Sequence, residues 1–248
     1  MDKKLSFVGL LCYDYEYLLR SIRSYYDIAD EIIIGLDKDM KTWSGNKFEI
    51  PQSFYDTLNE IDVKSKITIV KSNFFVSSNP MQNDTYERNY LTRYCMEDSW
   101  IIQIDSDEVI LEPEKLKEEI ISIEDYDCEL NILWKNVFKV FDSGNLVIVP
   151  ENERATIGTM RRGSYVCCRG TNQRKRLLGG YLLHNSFGRS ENELHQKLTN
   201  WSHTNDFDVE KYFSFWKGIN LDNYKEIKNF HPINPETWQE LKFVSNHG

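Results

Sequence analysis

The 248-residue sequence has no excess of positive charge: 39 acidic against 30 basic side chains leave a formal net charge of -9. That balance excludes a nucleic-acid backbone as the main ligand, because such recognition rests on a basic surface. It does not exclude a small anion, since the field inside a site is set by the nearest groups. The five cysteines, Cys12, Cys95, Cys128, Cys167 and Cys168, include no C-x-x-C pair and no metal-binding spacing. They read as reduced thiols of a cytoplasmic protein, with the adjacent Cys167 and Cys168 on opposite faces of a strand. No stretch is apolar over the length needed to cross a bilayer, which leaves room only for peripheral contact with a membrane. Lys3-Lys4 before Leu5 to Leu11 imitates a secretory leader. However, the run is short, no small-residue cleavage site follows, and Asp14 and Glu16 come at once. Leu11 also stands where a lipoprotein signal before Cys12 would need a small residue. The segment is expected to be a first strand, and neither an internal repeat nor a disordered linker follows it.

What is present alternates. Leu5 to Cys12 is a continuous apolar run, the pattern of a strand covered on both faces. Leu18, Leu19, Ile22, Tyr25 and Tyr26 then recur at helical spacing. Glu31 to Leu36 is a second buried strand, broken by Asp37-Lys38-Asp39 and followed by a polar loop containing Gly45 and Asn46. A polar helix is expected around Phe54 to Glu60, and a third strand at Ile67 to Val70. Ser77 to Asp84 reads as loop. Asp84 with Glu87 reads as a capping box opening a helix, with Tyr86, Tyr90, Leu91, Tyr94 and Cys95 on one face. Trp100 to Ile104 is the fourth strand, and Pro113 opens another helix, running to about Ile123. Strands alternating with helices predict βαβ units and a mainly parallel sheet.

The second half changes character. Leu130 to Phe141 and Leu146 to Val149 are expected to be strands joined through Asp142-Ser143-Gly144-Asn145. An Arg-rich polar stretch leads to a short strand, Tyr181 to His184. Ser190 with Glu193 forms a second capping box, and Leu194, Leu198 and Trp201 give its helix an apolar face. Aromatic-rich helices or loops are expected to finish the chain.

Asp105-Ser106-Asp107 carries the chemistry. It follows the apolar run Trp100 to Ile104, so its carboxylates stand at the carboxyl edge of a central strand, where open α/β sheets bind ligands. Two aspartates one residue apart can share a hard divalent cation, which wants oxygen ligands and a substrate diphosphate beside them. An ordinary acidic strand-to-helix loop is the bland alternative, and the apolar strand with three preceding βα units weighs against it. Arg161-Arg162 and Arg169 to Arg176 form a basic cluster, read mainly as a solvated face and secondarily as a phosphate contact. Trp43, Trp201 and Trp216 are read mainly as core and secondarily as sugar-stacking surfaces.

On these residues the chain resembles glycosyltransferase family 2 and related enzymes of the GT-A fold. The matching pieces are the opening strand with a helix after Tyr13, Asp37 after the second strand, Glu87-Arg88-Asn89, and Asp105-Ser106-Asp107. The second half resembles bacterial or viral members in which a strand ending in His, here Leu182-Leu183-His184, precedes an acidic helix. The resemblance implies an α/β GT-A domain over 1–206, with a nucleotide-sugar-binding half at 1–110 and an acceptor half at 111–206. A C-terminal helical extension would occupy 207–248. It implies transfer of a sugar from a UDP- or GDP-sugar to a glycan or glycolipid acceptor, by inversion, with Mn²⁺ or Mg²⁺ as cofactor. Leu10 to Tyr13, Leu11 and Tyr13 among them, would line the nucleotide pocket. Asp37 would accept from the base, and Arg88 would sit near the diphosphate or sugar. Asp105 would touch the ribose or the water shell of the metal, and Asp107 would ligate the metal. His184 would complete the metal site, with a satisfied structural histidine as its alternative.

The family's Glu-Asp pair is absent. Glu191 is the nominal catalytic base, because Glu193 already serves the capping box. A nucleotidyltransferase making activated sugars is a rival reading. It would want a glycine-rich loop after the first strand, and Cys12-Tyr13-Asp14-Tyr15 has no glycine. A non-catalytic sugar-binding protein of the same fold is the second rival.

Overall fold

The computed structural model describes residues 3–246, within which one mixed sheet runs through the chain. Its first half is wound as the alternation predicts. The strands β1 (Lys4–Leu11), β2 (Glu31–Asp37), β3 (Ile67–Ser72) and β4 (Ser99–Gln103) lie parallel in the order β3-β2-β1-β4. Every residue of β1 after Lys4 is buried, as a strand covered by helices on both faces requires. The helix α1 (Tyr15–Tyr25) turns Leu18, Leu19, Ile22 and Tyr25 onto the sheet, and the Tyr25 ring stacks on Phe7 at 4.5 Å. Each such fully buried aliphatic side chain stabilises the packing by about 1.5–3 kcal/mol. The helices α2 (Gln52–Ile61) and α4 (Pro113–Ser122) fall where the spacing places them.

The helix α3 (Pro80–Leu91) does not. It begins inside the expected loop, with Pro80 in its first turn and the Asn79 side chain accepting from the Met81 N–H. Asp84 and Glu87 are therefore interior residues, not a capping box. The buried face is Asn83, Asp84, Glu87, Arg88 and Leu91, whereas Tyr86 and Tyr94 are exposed. The tyrosines form an outer ladder, Tyr86–Tyr90–Tyr94, with centroids 6.0 and 5.8 Å apart. A polar face is turned inward because it meets other charged groups there.

Beyond β4 the sheet becomes mixed. β5 (Glu108–Ile110) follows the paired aspartates at once, and β6 (Cys128–Phe141) is 14 residues long. β6 pairs with β7 (Gly144–Val149) and β8 (Arg154–Thr159) antiparallel, and with β9 (Arg174–His184) parallel. β8 pairs antiparallel with β4 and so joins the halves of the sheet. The Arg-rich stretch thus contributes β8 and the start of β9, which its polar sequence hid. Cys167 and Cys168 do not lie on a strand; Cys168 has φ +47°, and all five cysteines are free. The α/β class with a mixed sheet flanked by helices is the one that the GT-A resemblance implied.

The capping box of α5 (Glu191–Asn200) is present, with the Ser190 hydroxyl and the Glu193 carboxylate capping reciprocally. The stretch after residue 206 is less helical than expected. It holds α6 (Val209–Gly218), then two short 3₁₀ turns, and ends in β10 (Glu240–Ser245), antiparallel to β7. Trp216, Phe230, Trp238 and Leu241 pack with Phe138, Leu146, Phe187 and Leu198 in a second core. No helix among the described residues is long and apolar enough to cross a membrane.

Candidate active site

A cavity of about 240 Å³ opens at the carboxyl ends of β1, β2 and β4. This is the crevice where a doubly wound sheet leaves its strand ends uncovered. Leu11, Tyr13, Asp37, Arg88, Asp105, Asp107 and His184 all line it; Glu191 does not. Glu191 is exposed at the start of α5, where its carboxylate pairs with Lys217 at 3.2 Å. Glu191, expected as the base, therefore lies outside the lining of this cavity.

Asp105 and Asp107 sit between cations. Arg88 Nη1 lies 2.9 Å from Asp105 Oδ1, and Arg169 Nη2 lies 3.7 Å from Oδ2. Arg189 Nη2 and Lys197 Nζ lie 2.7 and 2.5 Å from Asp107 Oδ2. Burial by itself would raise both carboxyls. For Asp105 the Arg169 and Arg88 guanidiniums outweigh it, and for Asp107 the Lys197 ammonium, His184 and Arg189 do, so both are held below the usual carboxylate range. The cations are anchored in turn. Arg88 bonds to Asp84 at 2.5 Å, Arg169 grips Glu108 through two bonds of 2.6 and 2.7 Å, and Arg189 lies over the Tyr17 ring at 4.3 Å. Each charge is paired, as burial demands. Asp105 Oδ1 is buried beside Arg88, while the Asp105 side chain as a whole stays about 30% exposed toward the cavity.

Asp37 is already engaged. Its Oδ1 accepts from the Asp39 and Lys41 N–H groups, and its Oδ2 from those of Phe74 and Phe75. With both oxygens held by backbone donors, it ties two loops together at the pocket rim instead of offering a free acceptor to a base. Trp43 stands beside it, and the indole N–H donates to Glu87 at 2.7 Å. Burial pushes the Glu87 carboxyl up to about 8, against the Trp43 hydrogen bond and the Arg88 charge.

The β5–β9 ladder brings in His184. Glu108 pairs with His184, and the Asn185 N–H donates to the Asp107 carbonyl at 2.9 Å. Asn136 Nδ2 donates to Glu153, which leaves the Asn136 oxygen to accept from His184 Nδ1–H at 2.7 Å. The imidazole also stacks on Trp134, centroids 4.5 Å apart. Burial lowers its pKa to about 4. Nε2 therefore presents a lone pair, and it faces Asp107 Oδ2 across 3.7 Å.

Two acceptor atoms so placed suit a shared divalent cation, because two donors each about 2.1 Å from one ion stand about 3–4 Å apart. The Asn136 bond supplies the outer partner that a ligating histidine needs. No third His, Cys, Asp or Glu completes a ligand group among the described residues. The donor set thus fits an ion held by Asp107 and His184, with its other positions left to substrate oxygens.

Several site residues carried no role at the sequence level. Arg189 and Asn136 left no signal there. Lys197 did leave one: it falls on the apolar face of α5, between Leu194, Leu198 and Trp201, where a charge requires a partner. Of the basic cluster only Arg169 lines the cavity, while Arg161 and Arg174 pair with Asp127 and Asp125 at the surface. Trp43 and Trp201 line the cavity, whereas Trp216 is core. Glu153 was missed entirely. Its Oε2 accepts from Asn136 at 2.7 Å and from the Trp238 indole at 2.9 Å, and no lysine or arginine among the described residues pairs with it. Burial raises its pKa against those two donors.

No family model and no curated protein matches the chain. Among solved structures, the crystal structure of S. aureus TarS 1–349 has a TM-score of 0.43 at 14% identity, over 89% of this chain and 76% of that one. Mannose-6-phosphate isomerase from Helicobacter pylori gives 0.33 at 14% identity, over 64% of this chain and 61% of that one. Likeness at this level says nothing of chemistry.

Proposed function

We propose that this chain is a glycosyltransferase, moving a sugar from a UDP- or GDP-sugar to a hydroxyl of a glycan acceptor with inversion. The observation that carries the reading is the meeting of Asp107 and His184 in a cavity ringed by buried cations at the carboxyl ends of parallel strands. Leu11, Tyr13 and Trp43 form the wall against which the nucleoside lies. Arg189 and Lys197 supply fixed positive charge beside the diphosphate. Such preorganised charge stabilises a leaving group without reorganisation during the reaction. Mn²⁺ or Mg²⁺, held by Asp107 and His184, would neutralise the developing diphosphate charge. His184 is kept in the ligating tautomer by Asn136.

Glu153 replaces Glu191 as the base. Of the carboxylates lining the cavity, Asp14, Asp84, Asp105 and Asp107 are ion-paired and Asp37 is held by backbone donors. Glu87 lies on the Trp43 side with the nucleoside wall. Glu153 has one oxygen anchored and no cation to hold its pKa down, which suits a general base. It takes the proton of the acceptor hydroxyl as the new C–O bond forms at the anomeric carbon. The bond to the diphosphate oxygen breaks, and the nucleoside diphosphate leaves with the electron pair.

The test is a panel of UDP- and GDP-sugars incubated with the protein and Mn²⁺, reading nucleoside diphosphate release and product mass. Release with at least one donor, lost in Asp107→Asn with the fold intact, is expected. Absence of release from every donor, together with no thermal shift by UDP or GDP, overturns the reading.

A further inference from the structure

The cavity has two chemically different ends. Its lysines and arginines are Lys41, Arg88, Arg169, Arg189 and Lys197, and four of these pair with the Asp105, Asp107 and Glu108 carboxylates or their neighbours. The other end is built by Glu153, Trp201, Ser202, His203, His231 and Trp238, and carries no lysine or arginine. The connections among these groups are direct. Trp238 donates to Glu153 at 2.9 Å, His231 packs edge-on to Trp238 at 4.5 Å, and His203 packs against Trp201 at 4.8 Å. Phe187 lies between the two indoles, 5.0 Å from Trp238 and 6.4 Å from Trp201.

The polar groups at this end are held in fixed orientations. His231 Nδ1 accepts from the Ile233 and Asn234 N–H groups, at 3.1 and 2.9 Å. Its proton therefore resides on Nε2, which makes that atom a donor. Burial keeps the ring neutral, with a pKa lowered to about 4. His203 is committed to Asp206 at 2.6 Å. Among the described residues lining this end, Glu153 is the one carboxylate. Trp201 is half-buried, so part of the indole stays available. Trp238, 3% exposed, is not a stacking surface; it positions Glu153.

We propose that this end is the acceptor subsite and takes an uncharged pyranose, not a phosphate- or carboxylate-bearing acceptor. The inference rests on the glycosyl-transfer reading and adds the substrate class. The apolar face of a sugar ring lies on the Trp201 indole, which offers a large rigid area at low entropic cost. His231 Nε2–H binds a ring hydroxyl, and Glu153 faces the hydroxyl that reacts. An anionic acceptor would be desolvated here beside the Glu153 carboxylate, with Lys197 and Arg189 already paired to Asp107.

The experiment is saturation-transfer NMR on the whole chain with UDP and Mn²⁺ present. The probes are methyl pyranosides and disaccharides on one side, and glycerol 3-phosphate and glucuronic acid on the other. At least one neutral sugar is expected to give signal, falling about tenfold in Trp201→Ala or His231→Ala while the UDP thermal shift stays as in wild type. Far-UV circular dichroism identifies a variant that does not fold, and the other then carries the test. Signal from the acids at or above that of the sugars, no neutral sugar bound, or sugar binding that survives in both variants overturns the proposal. Loss of the UDP shift in wild type instead strikes the donor reading.

Discussion

Lys197 Nζ lies 2.5 Å from Asp107 Oδ2, and Arg189 Nη2 lies 2.7 Å from the same oxygen, so the carboxylate best placed to take a metal already holds two cations. A divalent ion arriving at Asp107 and His184 meets the ammonium as a competitor, because like charges a few ångströms apart repel even with protein screening. Lys197→Met should therefore bind Mn²⁺ more tightly in the absence of nucleotide, by about tenfold or 1.4 kcal/mol. Free Mn²⁺ measured by electron paramagnetic resonance reads this directly. Unchanged or weaker binding would show that the ammonium does not occupy the ion's place.

Nucleotide binding should depend on the metal. UDP or GDP is expected to raise the melting temperature in Mn²⁺ and to have little effect in EDTA, since a bound ligand stabilises in proportion to its occupancy. His184→Ala should raise the half-saturating Mn²⁺ concentration at least severalfold. An equal thermal shift in EDTA, or an unmoved metal titration in the variant, argues that Arg189 and Lys197 hold the diphosphate unaided.

Glu153→Gln should lower transfer by about 10²–10⁴-fold, the usual contribution of a positioned base, while nucleotide binding and melting temperature persist. Glu191→Ala should transfer at close to the wild-type rate, because its carboxylate pairs with Lys217 outside the cavity. Reversal of these two results would return the base to Glu191 and require α5 to move during turnover.

Glu87 makes a pH-dependent stability prediction. Its folded pKa is raised to about 8 by burial. Below the unfolded carboxyl pKa of about 4.3 both states hold the proton, and Glu87 contributes no pH dependence. As pH rises from there to about 8 only the unfolded chain releases it, so stability falls across that window and levels off above it. Glu87→Gln has no proton to lose. Its stability relative to wild type should grow from pH 5 to pH 8, read from urea midpoints at each pH. Parallel curves for the two proteins would mean that Glu87 is ionised in the fold.

The first half of the fold was legible in the sequence because both faces of its strands are covered. Residues Leu5 to Leu11 and Ile32 to Leu36 must be apolar to sit at β1 and β2, and α1 must turn Leu18 and Ile22 toward them. Asp105-Ser106-Asp107 was legible for the same reason, as the first polar residues after a buried strand. The helix α3 was misread because its inward face is polar: Asp84, Glu87 and Arg88 are buried against Trp43 and Asp105, partners that local spacing does not reveal. The strand β10 escaped because an edge strand of alternating polarity with one partner looks like loop.

The amino-acid sequence by itself determined the wound α/β core and the place of the paired carboxylates, whereas the nearness of His184 to Asp107 was an expectation drawn from the family resemblance and comes from the β5–β9 pairing. The core and the carboxylates follow from local polarity and from which strand ends in which residue. Only the tertiary structure decided which cations neutralise those carboxylates, that Asp37 is spent on backbone donors, and that Glu153 faces the cavity while Glu191 does not. Those are outcomes of long-range packing. Lys197 lies 90 residues from Asp107, and Trp238 lies 85 from Glu153. The energy of a buried charge or hydrogen bond depends on the partner that the fold delivers, and a one-dimensional pattern does not contain it.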